Sequence, residues 1–148
     1  MTPTPVFSRD APRLAGVHAE AFETPWSADA IGEILAGPGA FALAVGEPGP
    51  LVGFILCRRI ADEAEILTLA VRLVDRRRGL AAALLNGAVA IATVAGATSM
   101  FLEVADDNLA AIDLYAGAGF VDVGRRPAYY VRPAGAVAAR IMRRDLNI

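Results

Sequence analysis

The stretch ILTLAVRLVDRRRGLAAALL, residues 66–85, decides how the rest of the chain is read. Ile66 to Val71 is an apolar, strand-like run. Arg72 to Arg78 is a charged turn with four arginines and one aspartate, and Gly79 leads into an alanine- and leucine-rich helix. The first N–H groups of a helix have no partner within it, and the macrodipole places partial positive charge there. A strand that turns through Arg76-Arg77-Arg78-Gly79 into a helix is therefore suited to hold an anion, with backbone N–H groups and arginine charge acting together. Gly79 removes the side chain where a phosphate would approach the backbone. The plainer reading of the same residues is a strand–helix junction with a solvated basic turn.

On the N-terminal side, Thr2 to Phe7 reads as a short strand and Ala11 to Phe22 as a helix with Leu14, Val17 and Phe22 on its apolar face. His18 stands alone on that helix, with no partner at metal-ligand spacing. Ser27 is the expected N-cap of a helix from Ala28 to Leu35, with Ala30, Ile31 and Ile34 or Leu35 inward. Phe41 to Val45 and Leu51 to Ile60 read as a hairpin around Gly46-Glu47-Pro48-Gly49-Pro50. Cys57 falls in its second strand with no activating neighbour, as a packing residue. Ala64 to Val71 makes a third strand in succession.

On the C-terminal side, the helix is expected over Arg77 to about Val94, with Leu80, Leu84, Ala88, Ile91 and Ala95 at helical spacing. Thr98 to Val104 reads as a strand in which Met100, Leu102 and Val104 alternate with Phe101 and Glu103. Asp107 or Asn108 caps a short helix that reaches Tyr115 and stops near Gly117-Ala118-Gly119. Phe120 to Val131 and Val137 to Asp145 form a last pair of strands. This order predicts an α/β (α+β) three-layer fold: a central mixed, mostly antiparallel sheet of about seven strands flanked by about four helices.

The chain of 148 residues is read as a single domain, 1–148. No apolar run reaches the length of a membrane span. The N-terminal residues are polar with early prolines, so no signal peptide is expected, and one cysteine fits a reducing cytoplasm. A net charge of −2 argues against general nucleic-acid affinity. All fourteen basic residues are arginine. Without lysine, Gly-x-x-x-x-Gly-Lys-[Ser/Thr] is absent and a P-loop phosphotransferase is excluded. No ligand-spaced cluster supports a metal.

Four segments, in order, carry a resemblance to a known family. Arg76-Arg77-Arg78-Gly79-Leu80-Ala81 matches the acyl-CoA loop [Gln/Arg]-x-x-Gly-x-[Gly/Ala] of the GCN5-related N-acetyltransferase (GNAT) family. FLEVADDNLAAIDLYAGAGF (residues 101–120), Pro25-Trp26-Ser27 after Phe22, and Gly124-Arg125-Arg126-Pro127-Ala128-Tyr129-Tyr130 resemble its RimI-type branch, the ribosomal-protein-alanine N-acetyltransferases. The resemblance covers nearly the whole chain and implies acetyl-CoA as cofactor. It implies a protein N-terminus as acceptor, the alanine of a small-subunit ribosomal protein. No nucleic-acid or membrane partner is implied, and the chain is expected in the cytoplasm as a monomer or weak dimer.

Acetylating an amine from a thioester requires that the cofactor be held and the carbonyl polarised. The amine must lose a proton and the departing thiolate must be stabilised. Arg76, Arg77, Arg78, Gly79, Leu80 and Ala81 suit the first need. By resemblance, Leu69, Ala70 and Val71 offer backbone groups to the cofactor arm and the carbonyl, from a strand that splays away from its neighbour. Glu103, at the end of an apolar strand, is the candidate base and occupies the position of the branch's catalytic glutamate; its plain alternative is a carboxylate paired with an arginine. Tyr115, seven residues after Asn108 on about the same helix face, is the candidate acid, and Asn108 a cofactor contact. Trp26, Arg126, Tyr129 and Tyr130 are the candidate acceptor contacts. Because neighbouring strand residues face opposite ways, only one of the two tyrosines is expected to line the cleft.

The chain departs from the family pattern at four places. Leu73 and Asp75 stand where proline and an aromatic are common, and Ala105 and Asp107 where arginine and serine are common. These leave open a GNAT enzyme acting on lysine or a small-molecule amine. Asp106, Asp107 and Asp113 would suit a polyamine. A non-catalytic acyl-CoA-binding module is the further alternative.

Overall fold

The computed structural model describes residues 1–146. The strands are β1 (Thr4–Val6), β2 (Ala40–Val45), β3 (Gly53–Ile60), β4 (Glu63–Val71), β5 (Ser99–Ala105), β6 (Val121–Tyr130) and β7 (Val137–Asp145). The helices are α1 (Ala11–Ala21), α2 (Ala28–Ala36), α3 (Leu80–Val94) and α4 (Leu109–Gly117). One seven-stranded sheet takes the order β1-β2-β3-β4-β5-β7-β6; its mixed, mostly antiparallel character and its strand number are as the element pattern predicts. β4 and β5 pair in parallel because α3 carries the chain back across the sheet, while the other recorded pairs are antiparallel.

Two cores lie on the two faces. Leu43, Ile55, Ile66, Leu84, Met100, Leu102 and Val104 pack with α3 and α4 on one side. Leu14, Val17, Ile31, Phe54, Leu56 and Ala70 pack with α1 and α2 on the other. Alternation along each strand supplies both faces at once, which is why the central strands read as nearly continuous apolar runs. α3 is alanine-rich, which favours the helix and lets it approach closely. A Cβ at Gly87 would sit 2.7 Å from Leu43 Cδ1.

Two irregularities position everything that follows. The β3–β4 ladder pairs Cys57 with Ile66 but Leu56 with Thr68, so Leu67 is an extra residue on β4. This bulge reverses the facing of the strand. Ala64 and Ile66 lie in the α3/α4 core, whereas Ala70 lies in the α1/α2 core. Second, the β4–β5 pairing runs only from Glu63–Ser99 to Ile66–Leu102. Both strands continue, β4 to Val71 and β5 to Ala105, so they part company and a cleft opens between them.

Two expectations need correction, the start of α3 and the inward facing of Ala30. α3 begins at Leu80, not Arg77, because Arg77 (φ 63°) and Gly79 (φ 74°) are both left-handed and the helix cannot start before them. A short 3-10 turn, Leu73–Asp75, stands between β4 and the loop. Ala30 is exposed, and Ile31 is the buried residue of α2.

Candidate functional site

The loop from Arg76 to Gly79 ends β4's excursion. Ala83 N–H donates to Gly79 O at 3.1 Å, which is the first bond of α3. The N–H groups of Leu80, Ala81 and Ala82 have no protein partner among the described residues. A Cβ on Gly79 would meet nothing within 4 Å, so the space in front of these donors is open. This is the geometry of an anion cradle at a helix N-terminus. The arginines are partly committed. Arg78 Nη1 lies 2.8 Å from Asp75 Oδ1, and Arg76 Nε donates to Val71 O at 3.2 Å. Asp75 thus braces the loop, standing also 3.6 Å from Arg72 Nε. Arg76 caps a carbonyl of the very strand segment that the splay leaves unpaired.

β4 from Leu67 to Val71 faces that gap with the backbone edge that β5 no longer covers. Leu69, Ala70 and Val71 are held from behind by β3, opposite Ile55, Phe54 and Gly53. The expected splay is therefore present, and its cause is the end of pairing at Ile66–Leu102.

Glu103 is the first β5 residue beyond that point. Leu102 and Val104 are buried in the α3/α4 core, so alternation sends the Glu103 side chain to the opposite face. Its carboxylate is 24% exposed and lies 3.0 Å from Arg126 Nη2. The sequence offered Arg126 to the acceptor and Glu103 as base, and the fold joins them. Tyr115, on α4, belongs to the α3/α4 core with Leu102 and Val104. It packs edge-on against Phe120 at 5.9 Å. Burial, with smaller contributions from Cys57 and Tyr130, pushes its hydroxyl up to about 12. Glu103 and Tyr115 therefore lie on opposite faces of the sheet.

Asn108 caps α4, its Oδ1 accepting from Ala111 N–H at 3.2 Å. That leaves its amide NH2 and the second lone pair of Oδ1 for a ligand. Alternation does not separate Tyr129 and Tyr130 as expected. Ala128 has φ 52° and the β6–β7 register slips between Arg126 and Tyr130, so the two rings meet edge-on at 5.1 Å. Arg126 lies over the Tyr129 ring at 5.5 Å and Arg132 over the Tyr130 ring at 5.4 Å. Burial first, then the charge of Glu103, raises the Tyr130 hydroxyl, so this tyrosine stands near the candidate base. Both tyrosines and Arg126 thus gather on one rim.

Two of the three carboxylates of the acidic cluster, Asp106 and Asp107, are paired with arginine. Asp106 lies 2.6 Å from Arg125 and 2.8 Å from Arg140, and its carboxyl is held below the usual range, chiefly by the Arg140 hydrogen bond. Asp107 pairs with Arg132 at 3.4 Å. These pairs tie the β5–α4 turn to β6, to the β6–β7 loop and to β7. Trp26, half-buried, stands in the α1–α2 loop and packs against the α1/α2 core. Residue spacing contained no signal for the contacts of Thr68 and His18 beneath it, because those residues are fifty positions apart.

Comparisons with known proteins agree with this geometry. The model of the acetyltransferase (GNAT) family matches residues 10–120. The chain is 35% identical over 92% of its length to the N-alpha-acetyltransferase RimI of Mycobacterium tuberculosis, of which it covers 87%. It is 34% identical to an uncharacterized protein of Mycobacterium leprae over 92% of its own length, but spans only 38% of that longer relative. Among solved structures, the ribosomal-protein-S18-alanine N-acetyltransferase from Escherichia coli superposes with a TM-score of 0.93 at 27% identity, covering 99% of this chain and 94% of that one. The open donors before α3 and the uncovered edge of β4 fit the pyrophosphate and arm of the family's cofactor. The chain belongs to the acetyltransferase (GNAT) family, and its cofactor is acetyl-CoA.

Proposed function

We propose that this protein acetylates the N-terminal α-amine of a protein, the alanine of a small-subunit ribosomal protein such as S18. The observation that carries this reading is the placement of Glu103, the first β5 residue past the last β4–β5 pair, with its side chain on the face opposite the core that holds Tyr115. A proton can be taken on one side and given on the other, with the acyl group between. The names of the Mycobacterium tuberculosis and Escherichia coli relatives support the acceptor. In this reading the chain works as one domain in the cytoplasm, as a monomer or weak dimer.

Acetyl-CoA supplies an activated thioester acyl group. Leu80, Ala81 and Ala82 N–H groups and the Arg76–Arg78 loop hold its phosphates. The free edge of Leu69–Val71 orients its arm. Glu103 Oε takes a proton from the acceptor ammonium, whose pKa of about 8 lies some two units below lysine, so a modest base suffices. The ammonium first replaces Arg126 beside Glu103, one cation for another. Tyr115 keeps its proton at neutral pH and donates to the departing sulfur. With the hydroxyl at about 12, full transfer to a thiolate near 8.5 is uphill, and hydrogen-bond donation is what the phenol offers. Arg126, Tyr129, Tyr130 and Trp26 frame the peptide.

The polyamine alternative loses two of its three carboxylates, since Asp106 and Asp107 are already paired with arginine, and keeps Asp113, which has no ion pair among the described residues. The test is incubation with acetyl-CoA and a peptide beginning with alanine, following thiol release and peptide mass. A mass gain at the α-amine is expected. Modification of lysine side chains alone would sink the reading.

A further inference from the structure

His18 is buried, 2% exposed, and is the one histidine of the chain. The backbone N–H of Trp26 donates to its Nδ1 at 3.1 Å. Since an amide N–H only donates, Nδ1 is the acceptor, and the proton of the neutral ring sits on Nε2. Nε2 in turn lies 3.2 Å from Thr68 Oγ1, to which it donates. The ring is stacked between Phe22 (4.3 Å) and Trp26 (5.1 Å), with Phe54 of β3 tilted against it at 6.2 Å. Thr68 comes within reach of α1 because the extra residue Leu67 reverses the facing of β4. One imidazole thus joins two parts of the site that no other recorded side-chain hydrogen bond joins. These are the loop carrying Trp26 and the strand residue next to Leu69.

We propose that His18 is a positioning residue whose Nδ1 fixes the acceptor rim at Trp26, while its Nε2 bond to Thr68 of the splayed strand holds the tautomer that leaves Nδ1 free to accept. It touches neither acceptor nor cofactor. Its effect passes through Trp26, and the inference rests on the assignment of Trp26 to the acceptor side. Phe22 and Trp26 hold the imidazole plane, so the two bonds keep a fixed direction. A side chain that merely filled the space would pack without orienting the loop.

The test uses the full chain with His18→Leu, His18→Asn and His18→Gln. The Asn oxygen falls near the place of Nδ1 and can accept from Trp26 N–H. The Gln amide falls near the place of Nε2 and serves Thr68 instead. His18→Leu is expected to raise the KM for the alanine peptide about tenfold, the scale of one lost buried hydrogen bond, with kcat and the acetyl-CoA KM within about twofold. His18→Asn restores the peptide KM to within about threefold of the parent and His18→Gln does not. Emission from Trp26, the chain's single tryptophan, moves to longer wavelength in the Leu and Gln variants and not in Asn. Equal peptide KM in Asn and Gln, or a fall in kcat and both affinities together with Tm, overturns the inference. If the Leu variant does not fold, the Asn–Gln pair carries the comparison. If the parent fails to acetylate the peptide, the proposed acceptor is wrong. The emission comparison then decides the positioning role, and identical Asn and Gln spectra overturn it.

Discussion

Arg126 Nη2 stands 3.0 Å from Glu103 Oε1. The arginine is 56% exposed, so the pair belongs to the wetter class of ion pair and contributes at most about 1 kcal/mol to stability. In the proposed mechanism its consequence is for acceptor binding, since the guanidinium occupies the place an ammonium would take. Arg126→Gln is expected to leave the unfolding free energy within about 1 kcal/mol of the parent. Glu103→Gln is expected to lower kcat/KM for the alanine peptide by about 10²–10⁴, with acetyl-CoA binding retained. Steady-state kinetics and calorimetry check both. A Glu103→Gln enzyme with parental kcat/KM would remove the base from this residue.

Tyr115→Phe removes one hydroxyl and leaves the ring that packs on Phe120. Tm should change little, within the range of one modest hydrogen bond, about 1 kcal/mol. Thiol release under saturating acetyl-CoA should slow by at least about tenfold, because the departing sulfur loses its donor. A parallel loss of Tm and rate would assign Tyr115 to packing alone.

Gly79 holds φ 74° immediately before α3. Gly79→Val imposes about 1–2 kcal/mol of left-handed strain and sets a branched side chain before the free N–H groups of Leu80, Ala81 and Ala82. The acetyl-CoA KM is expected to rise at least about tenfold, since a charge-assisted contact of roughly 1.5–3 kcal/mol is lost. An unchanged acetyl-CoA KM would place the phosphates elsewhere.

Acid sensitivity has two separate origins. Burial holds the folded-state pKa of His18 below the ordinary value of 6.5. Above that value the ring is neutral in folded and unfolded chains alike. As pH falls below it, the unfolded chain takes a proton that the folded chain refuses, and stability declines by at most about 1.4 kcal/mol per pH unit. Denaturant titrations between about pH 6.5 and 5 should show this limb, and His18→Asn should flatten it. Asp106 acts lower. Its folded pKa is depressed by Arg140 and Arg125, so its contribution is present above its unfolded value of 3.8 and is lost as pH falls through the folded one. Asp106→Asn should leave the His18 limb intact and weaken only the acid limb below it.

The elements were legible because local pattern governs them. The alternation of Met100, Leu102 and Val104 located β5 and, with it, the facing of Glu103. The cap at Ser27 and the cap at Asn108 are satisfied by Ala30 and Ala111 N–H. The Arg-Arg-Arg-Gly turn located the mouth of α3, since chain chirality leaves a glycine as the natural residue before such a helix. Alternation failed where an added residue or a left-handed one breaks the period of two, at Leu67, at Val123 and at Ala128.

By itself, then, the order of residues determined the strands and helices, the anion loop and the identity of the chemical groups, because these depend on neighbours within a few positions. The tertiary structure alone decided which of those groups meet. Glu103 is held by Arg126, twenty-three positions away, His18 by Thr68, fifty away, and Asp106 by Arg140, thirty-four away. The split in the sheet belongs to the same class. It exists because β4 stops pairing with β5 at Ile66–Leu102, and hydrogen bonding between strands that distant in sequence leaves no local pattern to read.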